Sequence, residues 1–180
     1  MPFTHLQSKM SVKDFLSPAK TINSTLTYDQ KELYRYFQKW LSERGYDIAE
    51  IDYTEKILSE GKKLYAFNWL CDKRVDDYTK FMISIDFKAQ AENVQIELHD
   101  GKKKTAQHGT VTVKIATYME KDIDSDWTLN KRTAYSTLIR EIYDKMVVKG
   151  KWASFQGKLG KDAQALMNDL KTYLKTHRYD

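Results

Sequence analysis

The sequence predicts an α+β domain: an antiparallel meander of about five strands, with one helix before it and two after it. Three observations lead there. The apolar period changes from 3.6 to 2 after Gly45 and returns to 3.6 near the C-terminus. The strand-like stretches follow one another with only short turns between them, which implies antiparallel pairing. Three amphipathic helical stripes then need an apolar sheet face to bury against.

Leu33, Tyr36, Phe37, Trp40 and Leu41 define the first stripe, within a helix of roughly residues 28–44. Thr27 or Asp29 supplies a cap at its start, and Gly45 a left-handed stop. Beyond it, Ala49, Ile51 and Tyr53 alternate with Glu50, Asp52 and Thr54, the pattern of a half-buried strand. Glu60 and Gly61 read as a turn. The next strand sets Tyr65, Phe67, Trp69 and Cys71 against Leu64, Ala66, Asn68 and Leu70. It is apolar on both faces except at Asn68, so it is expected to be central and covered on both sides.

A charged turn over residues 72–77 leads to a strand with Phe81, Ile83, Ile85 and Phe87 inward and Lys80, Ser84, Asp86 and Lys88 outward. Two more strands, 93–99 and 108–118, are expected around a lysine-rich connection. A register in which paired residue numbers sum to 207 sets Val94 opposite Val113, Ile96 opposite Val111 and Leu98 opposite Gly109, with all the apolar residues on one face. The last two stripes are Tyr135, Leu138, Ile139, Ile142, Tyr143 and Met146, then Leu159, Ala163, Leu166, Met167, Leu170 and Leu174.

A chain of 180 residues with 41% hydrophobic and 31% charged residues suits one domain with a real core, here residues 28–180. Residues 1–27 hold both prolines, eight Ser or Thr and a single acid, Asp14, and read as a partly ordered arm with one short amphipathic piece from Val12 to Leu16. No run approaches the roughly 18 apolar residues of a membrane span. The start lacks the charged and apolar segments of a secretory signal. Cys71 is the only cysteine, which excludes an internal disulfide and points to a reducing, cytoplasmic setting.

Charge is the strongest functional cue. Residues 145–161 contain Lys145, Lys149, Lys151, Lys158 and Lys161 and no acid, which equals the net charge of +5 carried by the whole chain. Trp152 and Phe155 lie among these lysines, and the segment, punctuated by three glycines, is expected to span the end of one helix, a connection and the start of the next. Lys102, Lys103 and Lys104 form a second cluster at a hairpin tip. Lysines interleaved with aromatics fit a nucleic acid, an anionic membrane surface or an acidic protein. The segment has no arginine, the residue preferred for phosphate and base recognition, and this favours the acidic protein.

Other constellations are weaker. In the 207 register His99 faces His108, and with Glu97 they make a candidate metal triad lacking a fourth ligand. Asp122, Asp124 and Asp126 open like a calcium loop, but Trp127 stands where glycine is required and Thr133 where glutamate is required. Tyr65, Phe67, Trp69 and Phe81 could line an apolar ligand pocket, or simply pack as a core. There is no glycine-rich phosphate loop, no implied cofactor and no catalytic motif. The sequence therefore reads as a non-catalytic binding module, with a pocketed carrier or enzyme-like domain and a nucleic-acid-binding protein as the alternatives.

Overall fold

The computed structural model describes residues 12–16, 18–58, 61–76, 79–97, 103–121, 148–176 and 178–179. Its elements are β1 (Val12–Phe15), β2 (Lys20–Tyr28), α1 (Gln30–Glu43), β3 (Asp47–Ile57), β4 (Lys63–Arg74), β5 (Thr79–Glu97), β6 (Lys103–Lys121) and α2 (Val148–Thr176). All strand pairings are antiparallel, and the α+β meander expected from the sequence is present. The described residues hold two helices; the helix expected over 135–146 lies outside them.

Strands β3, β4, β5 and β6 follow one another across the sheet. One edge of β6 pairs along its length with β5, and the other takes β2 at residues 107–115 and β1 at residues 118–121. Six strands thus fill five positions. β2 and β3 occupy opposite margins, and α1 joins them. Its 14 residues rise about 21 Å, close to the roughly 19 Å spanned by four inter-strand gaps. The helix length therefore matches the sheet width.

Asp29 caps α1: its Oδ1 accepts from the backbone N–H of Lys31 at 2.9 Å and of Glu32 at 3.0 Å. At the far end Gly45 takes φ +74°, the left-handed conformation that stops a helix. Phe37, Leu33, Leu41 and Trp40 are buried on the sheet beside Phe67, Trp69, Ile85 and Phe87. Phe67 and Phe87 stack with centroids 4.5 Å apart, and Phe37 meets both edge-on.

Four expectations need correction. First, β5 is a single strand of 19 residues where two were expected. Ala89 and Ala91 continue its inward set opposite Val111 and Gly109, and no glycine or proline interrupts it. Second, the β5–β6 register sums to 200, with Thr79 opposite Lys121, and not to 207. The long odd-numbered ladder from Phe81–Met119 to Ala91–Gly109 decides the alignment, and the few apolar residues near the tip follow it. Val94 and Ile96 consequently lie on the other face, opposite Ala106 and Lys104. Gly109 is required here, since any Cβ would run into the Gln90 carbonyl oxygen and Ala91.

Third, residues 20–27, assigned to the arm, and Tyr28, assigned to the first helix, form a sheet strand whose Ile22, Leu26 and Tyr28 are buried in the core. Fourth, the alternation in β3 breaks at a bulge between Glu50 and Asp52. Glu50 lies opposite Trp69 and Tyr53 opposite Phe67, so both sit on the inner face with one extra residue, Ile51, between their registers. Ile51 is 63% exposed and Tyr53 47%, so the expected half-buried face of Ala49, Ile51 and Tyr53 is not formed. β4 was expected to be central and covered on both sides; it is an interior strand next to the edge strand β3, and its Leu64, Ala66, Asn68 and Leu70 face is only partly covered.

Candidate binding surface

From Val148 onward the glycine-punctuated segment is continuous helix, so the connection expected within it is not formed among the described residues. α2 begins at Val148 and runs through Gly150, Gly157 and Gly160. An added Cβ at any of the three would meet nothing within 4 Å, so these glycines serve no close approach. One stripe of α2 enters the core: Leu159, Leu166, Met167, Leu170 and Leu174 are buried, and Trp152 and Phe155 pack against the same cluster, partly buried. Phe155 meets Phe81 edge-on at 5.9 Å, while Lys158 Nζ lies 5.9 Å from the Phe155 ring centroid.

Beside that stripe stand Lys151, Ser154, Lys158 and Lys161, all exposed. At 100° per residue, Lys151 and Lys158 fall on one line of the helix and Lys161 lies one step round from it. None of the three forms an ion pair among the described residues. Lys149 lies in the first turn of the helix. Lys145 is outside the described residues.

The second lysine cluster does not join the first. Phe155, near the start of α2, meets Phe81, whereas Tyr179, just past its end, reaches Lys104. Lys104 therefore lies toward the opposite end of α2. Lys104 is also committed: its Nζ lies 2.9 Å from Asp29 Oδ2 and 2.8 Å from Glu32 Oε1. Hydrogen bonding to Glu32, then to Asp29, holds its ammonium pKa above the usual lysine range. Burial alone would raise the Asp29 carboxyl, but the bonds from Lys104 and the α1 backbone bring it below its ordinary value. Lys104 thus ties β6 to the start of α1. Lys103 is exposed opposite Glu97, and Lys102 is outside the described residues.

The metal triad is not assembled. With the register at 200, His108 faces Glu92, and its Nδ1 shares a 2.8 Å hydrogen bond with Thr27 Oγ1. Glu97 faces Lys103, and His99 lies outside the described residues. Among the described residues no group of three or more His, Cys, Asp or Glu side chains is placed to hold a metal ion. The calcium-like acidic stretch also lies outside them.

The proposed pocket residues Tyr65, Phe67, Trp69 and Phe81 are buried core side chains; Phe37 of α1 packs edge-on against Phe67 and Trp69, and Phe155 packs edge-on against Phe81. Cys71 is fully buried; burial, and secondarily Asp72, pushes its thiol up to about 12, so it is no thiolate nucleophile at neutral pH.

Sequence reasoning missed Glu50. The bulge turns this carboxylate inward, where Oε2 accepts from the Tyr34 hydroxyl at 2.7 Å and from the Trp69 indole N–H at 2.9 Å. Burial and that bond push the Tyr34 phenol up to about 12. A buried tryptophan needs an acceptor for its N–H, and that rule was the available signal. Tyr34, Glu50 and Tyr53, with Gln30, Lys31, Arg35 and Gln38, line an open groove of about 430 Å³ between α1 and β3.

Comparison with protein-family models, curated proteins and solved structures gave no significant match, so function has to be read from this chain's own geometry. No helix among the described residues is long and apolar enough to cross a membrane.

Proposed function

We propose that the chain is a non-catalytic binding module whose α2 lysine face docks on an acidic protein surface. The observation that carries this reading is the division of labour around α2: Lys151, Lys158 and Lys161 are exposed, while Trp152 and Phe155, between them in sequence, are drawn to the core. Single-stranded nucleic acid is held by cations together with aromatic faces on which bases stack. Shallow membrane binding likewise calls for aromatics inserted at headgroup depth. Inward packing of Phe155 and Trp152 makes them poor tools for either task and leaves a lysine-only contact, which complements carboxylates.

Such a contact is long-range, screened by salt and modest per residue. The test is fluorescence anisotropy with two labelled probes of equal charge, a short oligoglutamate peptide and a single-stranded oligonucleotide. Preferential, salt-sensitive binding of oligoglutamate is the expected result. Equal or tighter binding of the oligonucleotide would move the assignment to nucleic acid. No binding of either at low salt would remove the lysine face as a docking surface.

A further inference from the structure

A groove of about 450 Å³ separates the glycine side of α2 from the margin of the sheet. Leu16, Lys20 and Thr117 line it from the sheet, and Gln156, Gly157, Gly160 and Ala163 from the helix. The topology opens it. The outer edge of β6 pairs with β2 as far as Ile115 and with β1 from Tyr118 onward, so at Ala116 and Thr117 it passes from one strand to the other. The Leu16 backbone N–H donates to the Thr117 carbonyl at 3.2 Å, and the chain then runs through exposed Pro18 and Ala19. On the helix side a Cβ at Gly157 or Gly160 would meet nothing within 4 Å. Interior glycines weaken a helix, and these two relieve no contact in return. Their effect is to leave the groove open.

Two observations define what suits it. Thr117 lies opposite Ile83 on the inner face of the sheet and is only 4% exposed, yet its hydroxyl forms no hydrogen bond among the described residues. Only Tyr28 and Gln30 among those residues hold a fully sealed side-chain oxygen without a partner, so the Thr117 hydroxyl opens onto the groove. Lys20 is the one charged residue of the lining. Its Nζ donates to Gln164 Oε1 at 2.7 Å, and no carboxylate pairs with it among the described residues. A single lysine, a hydroxyl and the Gln156 amide suit a singly charged anion. Leu16, Ala163 and the bare helix backbone at the two glycines suit a slim aliphatic body.

We propose that this groove binds an aliphatic monocarboxylate. The carboxylate sits at Lys20 and Thr117, and the chain lies along Gly157, Gly160 and Ala163 beside Leu16.

The test follows backbone amide shifts of the isotope-labelled protein during titration with butanoate, hexanoate and octanoate. Octanoate is expected to move the amides of Thr117, Gly157 and Gly160, with affinity rising by up to about fourfold per methylene along the series. Lys20→Gln and Thr117→Val should each weaken octanoate binding by about two- to tenfold. Gly160→Leu, whose side chain enters the groove, should abolish it. Octylammonium and inorganic phosphate separate the two halves of the ligand. Equal affinity for octylammonium would overturn the selection of an anion, and equal affinity for phosphate would overturn the aliphatic body. Unchanged octanoate binding in Gly160→Leu, or no shift at millimolar octanoate, would overturn the site. If Gly160→Leu fails to fold, the ligand series and Lys20→Gln still decide.

Discussion

The two halves of α2 share one helix axis and one sheet yet are built on different terms. From Val148 to Lys161 the helix holds three glycines and exposed lysines, and of its core contacts only Leu159 is fully buried. From Asp162 onward, Leu166, Met167, Leu170 and Leu174 are buried, and two acids are fixed by α1 and the turn after it. Asp162 Oδ2 accepts from the Tyr46 hydroxyl at 2.8 Å. Asp169 Oδ2 accepts from the Trp40 indole N–H at 2.8 Å and from Arg44 at 3.5 Å. Arg44 in turn lies over the Trp40 ring at 3.8 Å. Each interior glycine costs about 1 kcal/mol relative to alanine. The second half therefore anchors the helix, and the first presents charge on a weaker scaffold.

The contrast can be broken at its strong end. Leu166→Ala removes a fully buried side chain and is expected to lower unfolding stability by about 2–5 kcal/mol in denaturant titration. Asp162→Ala and Asp169→Ala each strand a buried or half-buried donor, and about 1–3 kcal/mol should be lost in each. A loss as large from Trp152→Ala as from Leu166→Ala would erase the distinction between the halves.

At the weak end the sign reverses. Gly157→Ala and Gly160→Ala have open space for the new methyl and are expected to stabilise the protein by about 1 kcal/mol each. Hydrogen exchange should show the gain in the first half of α2, whose amides are expected to open more readily in the parent than those of residues 162–174. The smallest effect belongs to the lysines. Alanine at Lys151, Lys158 and Lys161 together should change stability by less than about 0.5 kcal/mol, as is usual for exposed positions.

What could be read from the sequence follows how far each signal reaches along the chain. α1 was legible but for its first residues, because Leu33, Phe37, Trp40 and Leu41 repeat at 3.6 and Gly45 stops the end, while Tyr28, expected in the helix, belongs to β2 and Asp29 alone caps the start. The inward set of β5 from Phe81 to Phe87 was equally plain. The β5–β6 register was not, since Val94, Ile96, Val111 and Val113 offer a plausible local match that only the full length of both strands overrules. The bulge at Ile51 leaves no composition signal, so the inward turn of Glu50 and the outward turn of Ile51 were hidden together. Gly150, Gly157 and Gly160 suggested a connection by propensity, and the packing of Leu159 beside Phe155 and Trp152 overrode it. The lysine face itself was visible as composition. Its separation from Trp152 and Phe155, on which the choice of partner rests, required the helix to be seen.

The most direct measurement is the affinity of the parent and of the Lys151, Lys158, Lys161 triple alanine variant for labelled oligoglutamate, across a salt series. The parent is expected to bind about tenfold more tightly at low salt, the gap closing as salt rises, with both proteins equally folded. Equal affinity of the two proteins at every salt concentration would contradict the assignment of α2 as the docking surface.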